Sequence, residues 1–191
     1  MSTNSYFRSN GYTADEIIIT RSGEPCDLSK LPAFLRTLLV MDGTVTKALE
    51  AWFWEPVKVV PLQIEAIKLT TPVKGLKSKA GDKTLQREVI LQGVNSDRIF
   101  ACARSTVLMK CLPKDLGEAL ESGKIGIGEL FRKQGLETYR EIIDIDYMLS
   151  PSADDALLTR LDNEIVARSY QIWVNGSPAV IVSEYFPVEM F

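Results

Sequence analysis

Residues 85–93, Leu-Gln-Arg-Glu-Val-Ile-Leu-Gln-Gly, constrain the fold more than any other stretch of this 191-residue chain. Read as a strand, the segment sends Leu85, Arg87, Val89 and Leu91 to one face and Gln86, Glu88 and Gln92 to the other, with Ile90 as the one break. A strand that alternates in this way packs its apolar face on a core, and here that face carries an arginine. A guanidinium cannot shed its proton to escape burial, so it needs a carboxylate or several acceptors beside it. Either the protein supplies them or a ligand does.

A second buried charge lies near the C-terminus. Residues 164–174 and 179–186 flank Asn175-Gly176, a dipeptide suited to a two-residue hairpin turn. In the returning strand Val180, Val182, Glu184 and Phe186 share one face, and Ala179, Ile181, Ser183 and Tyr185 share the other. Both faces are largely apolar, so the strand is central and Glu184 is buried. A buried glutamate needs a partner or a proton. On periodicity alone, Arg87 and Glu184 make a structural ion pair inside an antiparallel sheet.

The other segments follow from their own signals. Residues 15–21 contain the β-branched run Ile17-Ile18-Ile19-Thr20, a short strand broken by Ser22-Gly-Glu-Pro25. Asp27 or Ser29 caps a helix with Pro32 in its first turn and Phe34, Leu35, Leu38 and Leu39 at helical spacing. Asp42-Gly43 ends it, and Thr44 caps a second helix through Val45, Ala48, Leu49 and Trp52. The first amides of that second helix are unpaired and favour anions. Residues 57–69 form a strand, 71–83 a lysine-rich solvated loop, and 93–97 a hairpin connection into the strand 98–109. In that strand Ala101, Ala103 and Ser105 share one face, opposite Phe100, Cys102 and Arg104. A helix over 113–120 precedes a glycine-rich turn and a short helix over 129–134, a second corner with free amides near Ile127 and Gly128. Residues 138–149 fit strand or helix, and 152–161 reads as a short exposed helix. Arg104 and Arg168 are assigned to the sheet edge or surface, and Met41, Trp52 and Trp54 to the core. The pattern gives one α+β domain over residues 1–191 with a loose polar start at 1–12.

Composition removes several kinds of chemistry. The chain has no histidine, which excludes Ser-His-Asp and Cys-His catalysis, histidine bases and most catalytic zinc sites. Its three cysteines, Cys26, Cys102 and Cys111, are too widely spaced for a CxxC metal site or a disulfide framework. With a net charge of -3 and no basic run, no nucleic-acid partner is expected. No apolar run approaches a membrane span or a signal peptide, so no membrane insertion is expected and the cytoplasm is the default location.

A set of ordered motifs then resembles the chorismate pyruvate-lyase (4-hydroxybenzoate synthase) family. They are Leu38-Leu-Val-Met-Asp-Gly-Thr-Val-Thr-Lys47, Gln86-Arg-Glu-Val-Ile-Leu91, Ala103-Arg-Ser-Thr-Val107, Ile125-Gly-Ile-Gly-Glu-Leu-Phe131, Ala167-Arg-Ser-Tyr-Gln-Ile-Trp-Val-Asn-Gly176 and Val182-Ser-Glu-Tyr-Phe-Pro187. The resemblance is greatest to the subfamily with a Gly-Thr-hydrophobic-Thr corner. It implies a single antiparallel β-sheet with helices packed on it and two helix-turn flaps over a buried ligand pocket. It implies that Arg87 and the backbone amides of Val45 and Ile127 hold a ring carboxylate, while Glu184 meets the ring hydroxyl. The implied activity is elimination of pyruvate from chorismate to give 4-hydroxybenzoate, with Arg87 and Glu184 as the catalytic pair, no metal or organic cofactor, and inhibition by product. The chain is then a monomer or homodimer, and the downstream pathway (quinone, glycolipid or another metabolite) stays open. Residues 74–83 and 148–161 are extra length relative to the shorter quinone-pathway enzymes and bear on how tightly the flaps close. Two alternatives share the fold or the substrate: a non-catalytic effector-binding domain, and a chorismate-converting enzyme that makes another hydroxybenzoate.

Overall fold

The structure is a computed structural model that describes residues 17–123, 125–149, 152–161 and 164–191. The expected loose segment 1–12 lies outside them. Two short strands, β1 (Ile17–Ile19) and β2 (Pro25–Asp27), pair with each other. Asp27 caps a short 3-10 turn, and helices α1 (Ala33–Val40) and α2 (Val45–Phe53) follow, with Pro32 and Thr44 at their N-caps. Then come β3 (Val57–Lys68), β4 (Lys83–Gly93), β5 (Ile99–Leu108), α3 (Lys114–Glu121), α4 (Ile127–Lys133), β6 (Thr138–Met148), β7 (Ile165–Val174) and β8 (Ser177–Pro187).

The long strands form one six-stranded antiparallel sheet in the order β3-β4-β5-β8-β7-β6. The expected single sheet thus has a small companion, because Pro25, Cys26 and Asp27 after the break return to pair with Ile17–Ile19. Residues 138–149 resolve as strand: β6 ends the sheet order, hydrogen-bonded to β7. Helix α4 starts at Ile127, two residues earlier than the spacing suggested, because Gly126 serves as its N-cap.

Register lays the inward residues out in rows across the four central strands. Leu85, Val107, Val180 and Ile172 form one row, and Arg87, Ser105, Val182 and Tyr170 the next. Val89, Ala103, Glu184 and Arg168 form the third. The flanking apolar residues build two cores on this face, bridged by Ile142 of β6. Leu35, Leu38, Leu39, Val45 and Leu49 of α1 and α2 pack with Leu91, Ala101, Val166 and Phe186. Leu116, Leu120, Leu130 and Phe131 of α3 and α4 pack with Leu85, Val107, Ile172 and Val180. The polar rows run between them. Phe100 joins the first core rather than the opposite face, since a bulge at Leu91/Gln92 shifts the register there.

The described parts of the two stretches of extra length fold over the opposite face of the sheet, away from the helices. Gly75 accepts a hydrogen bond from Gln171 at its carbonyl, and Leu157 packs on Ile90 and Cys102. Residues 152–161 are therefore not an exposed helix: they are turns ending in a 3-10 turn, with Leu157 and Leu158 buried. Asp155 organises them. It takes two bonds from Arg104, at 2.7 and 2.6 Å, and two from the amides of Leu157 and Leu158. Arg104 also holds Glu88 at 2.7 Å, so it is a clasp rather than a free surface residue. Trp52 and Trp54 depart from the expected core: Trp54 is 89% exposed in a left-handed conformation that ends α2, and Trp52 stacks on Phe34 at the surface.

The Arg104 bonds hold the Asp155 carboxyl below the usual carboxylate range. Its stabilisation is therefore full above the unfolded pKa of ~4 and is lost as pH falls through the lower folded value. Asp155→Asn is expected to cost about 2 kcal/mol at pH 7, with the gap from wild type closing below pH ~4. Urea unfolding at a series of pH values measures both.

Candidate functional site

A cleft of about 70 Å³ lies over the polar rows, between the α1–α2 corner and the start of α4. Its floor is Arg87, Val89, Ala103, Ser105, Val182 and Glu184, and Gly43 to Thr46 and Gly126 to Glu129 form its walls. Small residues at Ala103 and Ser105 leave the space that larger side chains in the same rows would fill. The structure thus brings together all four residues singled out in the sequence: Arg87, Glu184, Val45 and Ile127.

Arg87 is 3% exposed, yet among the described residues it has no carboxylate partner. Its Nη2 donates to the Ile125 carbonyl at 2.9 Å, and its buried Nε has no acceptor. Desolvation pushes the guanidinium down to about 10, which leaves it charged at neutral pH. The expected internal pairing with Glu184 is not made. Arg87 and Glu184 stand two strands and one row apart, and Glu184 takes another partner.

That partner is Arg168, which sequence reasoning assigned to the edge or surface. It is 1% exposed, and its Nε donates to Glu184 Oε2 at 2.8 Å. Its Nη1 donates to the carbonyls of Leu38 and Met41 at the end of α1. The Tyr170 hydroxyl donates to Glu184 Oε1 at 3.0 Å, and burial pushes that phenol up. Glu184 is therefore fixed from two sides, with its charge balanced inside the protein.

The walls add unpaired donors. In α2 the first amide with a backbone acceptor is that of Lys47, which bonds Thr44, and in α4 it is that of Leu130, which bonds Gly126. The amides of Val45 and Ile127 precede these and have no acceptor among the described residues. The sequence also missed Arg140. It reaches the cleft from β6 and donates from Nη1 to the Asp42 carbonyl at 2.6 Å. Its strand gave no clear periodicity, so nothing in the sequence pointed to it.

A sheet floor with a buried, uncompensated guanidinium, beneath two helix starts with open amides, defines a domain suited to a small organic anion. Residues 39–191 match the model of the family described as chorismate pyruvate-lyase Rv2949c-like, and the chain belongs to that family. It is 28% identical over 170 residues to a chorismate pyruvate-lyase of Mycobacterium leprae, covering 86% of this chain and 79% of that protein. It is 26% identical over 174 residues to the chorismate pyruvate-lyase of Mycobacterium tuberculosis H37Rv, covering 86% and 85%. Among solved structures the fold resembles PhnF from Mycobacterium smegmatis, with a TM-score of 0.60 and 15% identity over 78% of this chain and 66% of that one. The effector domain of PhnF gives a TM-score of 0.58 and 15% identity, covering 77% and 90%. No helix among the described residues is long and apolar enough to cross a membrane.

Proposed function

We propose that this chain eliminates pyruvate from chorismate to form 4-hydroxybenzoate in the cleft over Arg87. The observation that carries this reading is a buried arginine that faces the cleft and has no carboxylate partner among the described residues. Burying an uncompensated charge costs stability, which a folded protein tolerates where an anionic ligand completes the site. In this reading Arg87 and the amides of Val45 and Ile127 hold the ring carboxylate, and the two corners act as flaps. Glu184 accepts the ring hydroxyl with a lone pair left over from its bonds to Arg168 and Tyr170.

The reaction breaks the C3–O bond to the enolpyruvyl group and removes the hydrogen at C4. The C4–H electron pair becomes the new ring double bond, and the C3–O pair leaves with the enolpyruvyl oxygen. If the enolpyruvyl methylene takes the hydrogen in a cyclic step, pyruvate forms directly and no side-chain base is needed. If Glu184 takes it, enolpyruvate leaves and is protonated afterwards. The internal pairing of Glu184 with Arg168 supports the cyclic route, in which the protein orients a reactive conformer and aromatisation drives the step. Glu184→Gln is accordingly expected to lower kcat only ~10-fold. A loss above ~1,000-fold, in the range of general acid–base catalysis, would put the proton on Glu184.

The deciding experiment is incubation of the purified chain with chorismate in the presence of a chelator, with chromatography of the aromatic product. One equivalent each of 4-hydroxybenzoate and pyruvate is expected. A different hydroxybenzoate would change the regiochemistry assigned here. The likeness to the PhnF effector domain favours one second reading, a binding domain without turnover. Its signature is a ligand-dependent rise in Tm with no pyruvate released. Because the product keeps both groups that the site recognises, competitive inhibition by 4-hydroxybenzoate goes with the lyase reading.

A further inference from the structure

Three guanidiniums converge on the cleft region, and one carboxylate there is buried. Arg168 is neutralised by Glu184. Glu129, the other acid on the cleft wall, bridges outward to Lys133 at 2.9 Å. Arg87 and Arg140 remain, each with a neutral backbone carbonyl as acceptor, those of Ile125 and Asp42, and each with a buried Nε that has no acceptor among the described residues. The cleft therefore carries two uncompensated positive charges, one more than a monocarboxylate neutralises.

Their placement separates the two charges. Arg87 rises from β4 and Arg140 from β6, four strand steps apart in the sheet order, or ~19 Å between backbones. Two long side chains that reach one cleft from that separation enter it from opposite sides. Arg140 lies close against the α4 corner as well, since a Cβ on Gly128 would come within 2.9 Å of its Nη2. A side chain at position 128 would displace it.

We infer that Arg140 is the anchor for a second carboxylate, so that the cleft is built for a dicarboxylate spanning from Arg87 to Arg140. Resting on the lyase reading, this second group is the enolpyruvyl carboxylate of chorismate, which departs with pyruvate. Arg140 then holds the leaving group in place before the C3–O bond breaks, and has no carboxylate to hold in the aromatic product. It discriminates substrate from product by charge, while Arg87 grips both.

Calorimetric titration with two aromatic probes tests this without turnover. 4-Hydroxybenzoate has one carboxylate, and 4-hydroxy-3-(carboxymethoxy)benzoate has two on a ring that cannot eliminate. Wild-type protein is expected to bind the dicarboxylate more tightly. Arg140→Gln should weaken the dicarboxylate by roughly 10- to 100-fold and the monocarboxylate by less than ~3-fold, with Arg140→Lys keeping part of the preference. Equal weakening of both probes, or no preference in the wild type, overturns the inference and leaves Arg140 as a brace between the two corners. If Arg140→Gln does not fold, Arg140→Lys and the wild-type preference still decide. A chain that shows this charge preference but releases no pyruvate from chorismate overturns the lyase reading alone.

Discussion

Arg87→Met is expected to abolish most turnover and to give a more stable protein. The two effects share one cause. At pH 7 the guanidinium is charged in both folded and unfolded chains, and burial disfavours that charge in the folded one. The fall from an ordinary arginine value to about 10 corresponds to a penalty on the order of 3 kcal/mol. Methionine fills similar space without the charge and removes that cost, so Tm should rise. The sign also fixes the pH behaviour. The unfolded chain binds more protons than the folded one only above pH ~10, so the penalty is constant through the neutral range. Catalysis moves the other way. Losing a charge-assisted anchor in a dry cleft is worth ~3–4 kcal/mol of transition-state binding, or roughly 100- to 1,000-fold in kcat/KM. Thermal melts and steady-state kinetics on one preparation measure both. A less stable variant would refute the burial penalty, and near-normal activity removes the anchor role.

Arg168→Ala is expected to do the opposite to stability. It leaves Glu184 buried without its cation and frees the Leu38 and Met41 carbonyls that its Nη1 holds. Breaking a buried pair from one side costs ~3–5 kcal/mol, a large share of a total that is typically ~5–15 kcal/mol. The double variant Arg168→Met, Glu184→Leu should regain most of the loss, because it removes both charges and keeps the volume. Urea unfolding of the single and double variants separates the unpaired charge from lost packing. Equal instability in both would put the effect in the carbonyl contacts with α1.

The contrast between these two arginines shows what the sequence makes legible. Arg87 stood out because it interrupts an alternating apolar face, and Glu184 because it is the one charge in a returning strand that is largely apolar on both faces. The corners at Thr44 and Gly126 were legible from cap residues and glycines. Arg168 was not, because residues 165–170 are buried on both faces and leave no alternation to break. The hairpin register offers a second route to it, but a strict two-residue turn at Asn175-Gly176 sets Arg168 against Ser183. A bulge at Ile172/Trp173 moves the register by one and brings Arg168 opposite Glu184. Nothing local announces that bulge. The assignment of 152–161 as an exposed helix failed for a related reason: Leu157 is held down by Ile90 and Cys102 from strands distant in sequence.

The two apolar cores separated by the polar rows have a mechanical consequence. In a protein with one continuous core, admitting a ligand to the centre means prying apart close-packed side chains. Here the α1–α2 half and the α3–α4 half each keep their own packing, and the cleft runs along the fault line between them. Arg168 ties the first half to the floor through the Leu38 and Met41 carbonyls, and Arg87 ties the second through the Ile125 carbonyl, so each bank is fastened from below by its own arginine. On the lyase reading, a dianion held between Arg87 and Arg140 is the mortar in that joint, and turnover removes it by splitting it into two smaller acids.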